Sequence, residues 1–596
     1  MAKRQPGKPR CLFVCPYALR VSFTQARVNQ PTPAIVSHSA VRPLPRWALL
    51  LLCAAYVLPG FIGRDAWRGA DVTAYGYMLQ LADGQTPWLS PLLGGLPPDS
   101  DGLLPYWLGA WAIQALGSVA SPLLASRLPF ALILVLTLWA TWWGIYSLAR
   151  SPGAQPVAFA FGGEASPPDY ARAIADGGLL ALLASLGLAQ ASHETTAYLT
   201  QLCGSALMFY GLAAAPWRSW LPTIAIAAAL PMLVLSGAPA LAVLYGAGGT
   251  ALCALADDRA PDARARTARA AWITAAFTLL TCVLGWRLGL WERRLELPYA
   301  GLELRSMGRL LVWFTWPAWP LALWTLWRWR AHVFALPLQR HLWLPLWFVA
   351  CALGAMVLSR PSDRALLLAL PALAALAAFA LPTLRRSVSA LIDWFTLLFF
   401  SASAIAIWVI WVSTQTGVPA KPAANVARLA KGFVPEFSWL PLLLAAAATA
   451  AWCAVVVWRT GRHRPALWKT LVLPAAGTTL CWLLLTSLWL PMLNYARSDA
   501  PQIRALVAHT GTSGCLQVQG LGQGQLAALL VHGAPPTQPM TSTAGPCDWL
   551  VVADDARTVD TRKAAPPAVE WSLVNRVGRP TDSNDALVLY RRSTPP

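Results

Sequence analysis

Long apolar runs alternate with short polar or basic segments along the chain from residue 47 to residue 493. Most runs have the length an α-helix needs to cross a bilayer, roughly 17 to 25 residues. The pattern predicts spans at 47–62, 128–149, 178–191, 197–215, 221–237, 240–256 and 271–288, then at 310–327, 342–358, 365–381, 391–413, 440–458 and 470–493. Beyond residue 493 the pattern changes. Short β-prone runs at 516–521, 549–553, 571–577 and 586–590 and helical stretches at 500–509 and 523–531 predict a small α/β domain. The expected fold class is an all-α polytopic membrane protein of about thirteen transmembrane helices with a small C-terminal extracytoplasmic α/β domain.

Charge sets the orientation. Arg150, Arg218, Arg269, Arg328, Arg385 and Arg459 close alternate runs, and residues 1–46 carry Lys3, Arg4, Lys8 and Arg10 without a single acid. Basic loops stay cytoplasmic, which predicts a basic cytoplasmic tail at 1–46 and a transmembrane domain at 47–493. It also predicts a first outer loop at 63–127 and an outer domain at 494–596. No cleavable signal is expected, because the run at 47–62 reads as the first span.

Composition narrows the class. Residues of charged type make up 12% of the chain and mean hydropathy is +0.49, against about a quarter charged in soluble proteins. The 32 Trp suit the headgroup level of a bilayer. The net charge of +20 follows from loops obeying the orientation rule, so no nucleic-acid partner is expected. Cys515 and Cys547 lie in the outer domain, where a disulfide can form. The run Gly520-Leu-Gly522-Gln-Gly524 is too short for a dinucleotide fingerprint.

Chemistry concentrates in the first outer loop. Tyr75, Met78, Leu79 and Ala82 recur at helical spacing and predict an amphipathic helix lying on the membrane surface. Asp71 stands at its start and reads either as an N-cap or as a catalytic acid. Asp99 and Asp101 read as turn acids or as metal or hydroxyl ligands. His193 and Glu194 sit at the outer end of a span and read as metal or acceptor ligands, or as a plain interfacial turn. Arg293, Arg294, Arg305, Arg360 and Arg364 fall outside against the orientation rule, and guanidinium groups suit a lipid phosphate.

The pieces Asp71, Tyr75, Met78, Gly84, Trp88, Pro91, Tyr106, Trp107 and Leu108, with Arg127 opening the next span, resemble the first periplasmic loop of GT-C membrane glycosyltransferases. The resemblance is to the family 39 type, the protein mannosyltransferases and aminoarabinose transferases. Phe314–Pro320 and the loop 359–364 resemble later family segments. The chain departs from the family at Val72, Ser100 and Asp101, where relatives carry Glu or a Glu-Lys pair.

That resemblance implies a bacterial inner-membrane enzyme moving a sugar from a polyprenyl-phosphate donor to a lipid, glycan or protein acceptor on the periplasmic side. It casts Asp71 as the catalytic carboxylate and Tyr75, Tyr106, Glu194 and the outer arginines as substrate-binding groups. A divalent metal is the one cofactor it admits, with Asp99, Asp101 and His193 as ligands. The alternatives are a flippase or transporter of lipid-linked sugars, or a surface-polysaccharide ligase. A transporter calls for charges and repeats at the midplane, and the chain has few intramembrane acids.

Overall fold

The computed structural model describes residues 31–98, 102–255, 260–291, 304–335, 338–358, 362–461, 466–539, 547–555 and 571–593. The chain enters through α1 (Arg46–Val57) and forms α2 (Ala70–Ala82) and α3 (Leu104–Leu116). Then follow α4 (Pro122–Ala149), α5 (Pro167–Ala184), α6 (Leu186–Ala191), α7 (Ala197–Ala214), α8 (Trp220–Leu235), α9 (Pro239–Leu255) and α10 (Pro261–Arg287). The second half runs through α11 (Leu304–Phe314), α12 (Ala318–Arg328), α13 (Arg330–Val333), α14 (Arg340–Leu358), α15 (Ser362–Leu367) and α16 (Leu370–Ala380). The last long apolar helices are α17 (Arg386–Thr416), α19 (Trp439–Thr460) and α20 (Val472–Ser487), with the short α18 (Ala420–Leu429) between the first two and α21 (Leu490–Arg497) at the end.

Local chemistry explains several boundaries. Ser121 accepts a hydrogen bond from the Leu124 N–H at 3.3 Å, and Pro122 occupies the first turn of α4. Ser166 and Pro167 start α5 the same way, with Asp169 in its first turn. Every residue of α16 is buried, and it packs between α5 and α12 at the centre of the bundle. The long helices α17 and α19 bury few side chains and expose Trp394, Leu398, Leu440 and Leu443, as lipid-facing helices do.

Among the described residues six helices are long and apolar enough to cross a membrane. The expected thirteen spans do not appear as thirteen such helices. Proline and polar interruptions divide the expected runs: 310–327 is split between α11 and α12 around Pro317, and 365–381 between α15 and α16. The first run is cut to the short α1, which ends just before Leu58-Pro59.

The surface-helix reading of α2 is corrected too. Asp71, Val72, Ala74, Tyr75, Gly76, Tyr77, Met78 and Leu81 are all buried, so both faces of α2 are covered. A Cβ on Gly109 of α3 would lie 2.2 Å from Met78 Sδ, and one on Gly76 would lie 2.8 Å from Ala527 Cβ. Those close approaches need glycine. They seat α2 between α3 and the C-terminal domain.

That domain consists of α22 (Ala500–Thr510), β1 (Leu516–Gln519), α23 (Gln523–Val531), β2 (Thr537–Pro539), β3 (Trp549–Asp555), β4 (Trp571–Arg579) and β5 (Asp582–Arg592). The sheet has the order β2-β1-β3-β5-β4, with β1 parallel to β2 and β3, and β5 antiparallel to β3 and β4. Cys515 and Cys547 form a disulfide beside β1 and β3. The expected elements appear, with β2 added to them. Its three residues include Pro539, which hides a strand from propensity.

Candidate active site

The loop before α2 turns on glycines: Gly63 and Gly69 have φ of 71° and 90°, a region open mainly to glycine. Between them the chain brings Arg64 inward. Its side chain is fully buried and pairs with Asp71 Oδ2 at 3.1 Å. The same guanidinium donates to the His193 carbonyl at 2.6 Å. Arg127, near the start of α4, reaches Asp71 Oδ2 at 3.6 Å and donates to the carbonyls of Arg64 and Asp65.

Asp71 is not the N-cap of α2, for Gly69 holds that position. Its Oδ1 accepts from the Thr195 N–H and hydroxyl, each at 3.0 Å, and its Oδ2 accepts from the Trp67 N–H at 3.3 Å. Burial opposes ionisation of this carboxyl. Arg64, Arg127 and the two bonds from Thr195 outweigh burial and hold it below the usual carboxylate range. The result is a carboxylate favoured in its ionised form and fixed at the junction of three segments.

Beside it, in the turn after α6, Glu194 forms an ion pair with Arg364 of α15. Gln190 donates to Glu194 Oε1 at 3.2 Å. Arg364 lies 5.8 Å from the Tyr198 ring centroid, and the charge of Asp71 acts on it. Tyr75 is buried on α2, and burial, eased by Arg127, pushes its hydroxyl up to about 12. Three guanidiniums (Arg64, Arg127, Arg364) thus surround two buried carboxylates (Asp71, Glu194), and Asp363 also pairs with Arg364 at 3.5 Å, so acids and bases balance in the cluster. Three of the guanidinium N–H positions, Arg64 Nε and Nη1 and Arg127 Nε, are buried without an acceptor.

The other sequence candidates divide. Tyr106 packs its ring on Tyr77 at 5.3 Å between centroids. Arg305 is exposed at the start of α11, a helix that packs against α6 and α15. Asp99, Asp101, Arg293, Arg294 and Arg360 lie outside the described residues. Sequence reasoning did not single out Arg64 or Thr195. Arg64 carried one usable signal, a basic residue in an outer loop within a few residues of Asp71.

Of the expected metal ligands, Asp99 and Asp101 lie outside the described residues, and His193 lies within them. His193 Nδ1 faces the Ala189 carbonyl at 2.5 Å, and Nε2 faces those of Tyr56 and Val57, both at 3.1 Å. Both nitrogens are therefore turned to backbone oxygen, which corrects the reading of His193 as a ligand. Among the described residues no three His, Cys, Asp or Glu side chains converge on a metal-sized space. Burial, with Arg64 near, pushes the His193 imidazole down to about 4 despite those carbonyls.

Two solved structures match nearly the whole chain. ArnT from Cupriavidus metallidurans bound to undecaprenyl phosphate superposes with a TM-score of 0.56 at 15% sequence identity, over 92% of this chain and 98% of that one. The chain has an ArnT-like GT-C fold. ArnT from the same organism in the apo state agrees, with TM-score 0.56 and 15% identity over 91% of this chain and 98% of that one. No family model and no curated protein matches the sequence. The ArnT-like fold includes the C-terminal domain as well as the helical bundle, since so little of either chain is left over.

Proposed function

We propose that this protein is a membrane glycosyltransferase that moves a sugar from a polyprenyl-phosphate donor to an acceptor hydroxyl at the periplasmic face of the inner membrane. The observation that carries the reading is the buried Asp71 carboxylate held ionised between Arg64 and Arg127 in an ArnT-like fold. The neighbouring ArnT structure holds undecaprenyl phosphate, which supports a donor of that class.

In the proposed reaction the acceptor oxygen attacks the anomeric carbon, the carbon–oxygen bond to phosphate breaks, and polyprenyl phosphate leaves with the electron pair. Asp71 accepts the hydrogen bond of the incoming hydroxyl and orients it for inverting attack. A carboxyl held this low is a poor final proton holder. The departing phosphate monoester, with a second pKa of about 6, takes the proton instead. The three guanidinium N–H positions without an acceptor favour the phosphate as negative charge builds on it. Arg364 is placed to add to that stabilisation if it exchanges Glu194 for phosphate.

A second reading rests on a specific observation. Both oxygens of Asp71 already have partners, so the residue also serves as a lock joining the outer loop to α4 and to the turn before α7. The decisive assay reconstitutes the purified chain in proteoliposomes with a radiolabelled undecaprenyl-phosphate sugar and lipid A, glycan and peptide acceptors. Acceptor-dependent release of undecaprenyl phosphate supports the transferase. Movement of intact lipid-linked sugar between leaflets, without release, contradicts it and favours the flippase.

A further inference from the structure

The C-terminal domain holds a cleft of about 380 Å³, bordered by Arg68 and Gly69 of the loop that leads into α2. Its position follows from the sheet. From β1 the chain passes through α23 to β2 on one side, while β3 flanks β1 on the other, and all three strands are parallel. The carboxyl ends of β1 and β3 therefore form a topological switch point, where open α/β sheets bind their ligands. Gly520 (φ 70°) turns the chain directly after β1, and Gly522 is the N-cap of α23. A Cβ on Gly522 would meet no atom within 4 Å, so the backbone there borders open space.

The walls indicate the ligand. Asp499 is 6% exposed and lines the cleft. It precedes α22 without capping it, and among the described residues no group donates a hydrogen bond to its carboxylate. Its charge partner Arg579 stands at 4.0 Å. Asp585 is paired with Arg68. The lining thus carries two acids, Asp499 and Asp585, and one base, Arg68, which disfavours an anion even at a helix start. The Gly522 N–H that could hold one is already taken by Gln525 Oε1 at 3.1 Å. Ile503, Ala528 and Leu587 supply an apolar surface. Charged hydrogen-bonding groups beside an apolar patch match a sugar ring, whose hydroxyls both donate and accept while its C–H face is apolar.

We propose that this cleft binds a neutral, hydroxyl-rich saccharide unit of the acceptor and thereby sets acceptor choice. The proposal rests on the transferase reading for its place in the reaction. It extends that reading by giving the outer domain a role: Gly69, on the cleft wall, lies two residues before Asp71.

The test uses the full chain in nanodiscs and saturation-transfer NMR with maltose, N,N′-diacetylchitobiose and inorganic phosphate as probes. Undecaprenyl phosphate binding is measured in parallel. At least one disaccharide is expected to bind the wild type. Asp499→Asn, which keeps the shape of the side chain, and Gly522→Phe, which fills the cleft, are each expected to weaken that binding about tenfold or more. Undecaprenyl phosphate binding should stay unchanged in both variants. Absence of disaccharide binding to the wild type, equal binding by wild type and variants, or displacement of sugar by phosphate would overturn the proposal. If the wild type fails to bind undecaprenyl phosphate, the transferase reading fails, while the disaccharide result still decides the cleft.

Discussion

Thr195 meets Asp71 Oδ1 twice, through its backbone N–H and its hydroxyl, each at 3.0 Å. One residue in the turn after α6 thus fixes the orientation of a carboxylate at the start of α2. Thr195→Val keeps the shape and the N–H and removes the hydroxyl. Leaving a buried acceptor one bond short costs about 1–3 kcal/mol. Thermal unfolding of the purified protein should show a loss of that order, with a smaller loss of transfer than any change at Asp71 itself.

Arg127 and Asp71 form part of a buried charge network. Removing one member of such a network leaves an uncompensated charge and costs about 3–5 kcal/mol. Arg127→Gln should therefore destabilise strongly. The double variant with Asp71→Asn should recover part of the loss, because the stranded carboxylate is gone. A double-mutant cycle of unfolding free energies measures this, and strict additivity would mean that the two charges do not interact.

His193 is fully buried with its imidazole held down near 4. Its unfolded counterpart protonates near 6.5. Between those values the unfolded chain binds the extra proton, so stability falls as pH drops from about 6.5 to about 4 and stops falling below that. The effect reaches about 3 kcal/mol at its limit. His193→Gln should remove this part of the acid-side slope, which is read by comparing melting curves of the two proteins across that range.

The Cys515–Cys547 disulfide closes a 32-residue separation within the C-terminal domain. Cross-links of this kind stabilise by about 2–4 kcal/mol. Cys515→Ser should lower the unfolding temperature of that domain, and dithiothreitol should do the same to the wild type but not to the variant. An unchanged melting curve on reduction would show that the link contributes nothing.

The membrane class and the C-terminal α/β elements were legible because both depend on local periodicity. The runs at 516–521 and 523–531 became β1 and α23 with little change. What periodicity could not show was the burial of α2. Tyr75 and Met78 marked one apolar face, but the opposite face is covered by α23, which enters the chain more than 400 residues later. Gly76 was the only local hint, and its meaning depends on Ala527. Helix boundaries escaped for a related reason: hydropathy registers an apolar run, while the chain around Pro317 divides 310–327 into two helices.

The site followed the same divide. Asp71, Glu194 and Arg364 were legible by residue type and predicted side. That Glu194 would pair with Arg364, and that Arg64 would clamp Asp71, are long-range facts of folding. His193 misled because a histidine at a helix end suggests a ligand, whereas here burial and three carbonyls occupy its ring.

The central claim is that Asp71 acts on the acceptor hydroxyl and is more than a lock. Asp71→Asn in the proteoliposome transfer assay, with unfolding temperature measured on the same preparation, separates the two roles. The account predicts that transfer falls by about 10²-fold or more, while the variant still binds undecaprenyl phosphate and melts as a folded protein. A folded Asp71→Asn variant that transfers sugar at the wild-type rate would contradict it.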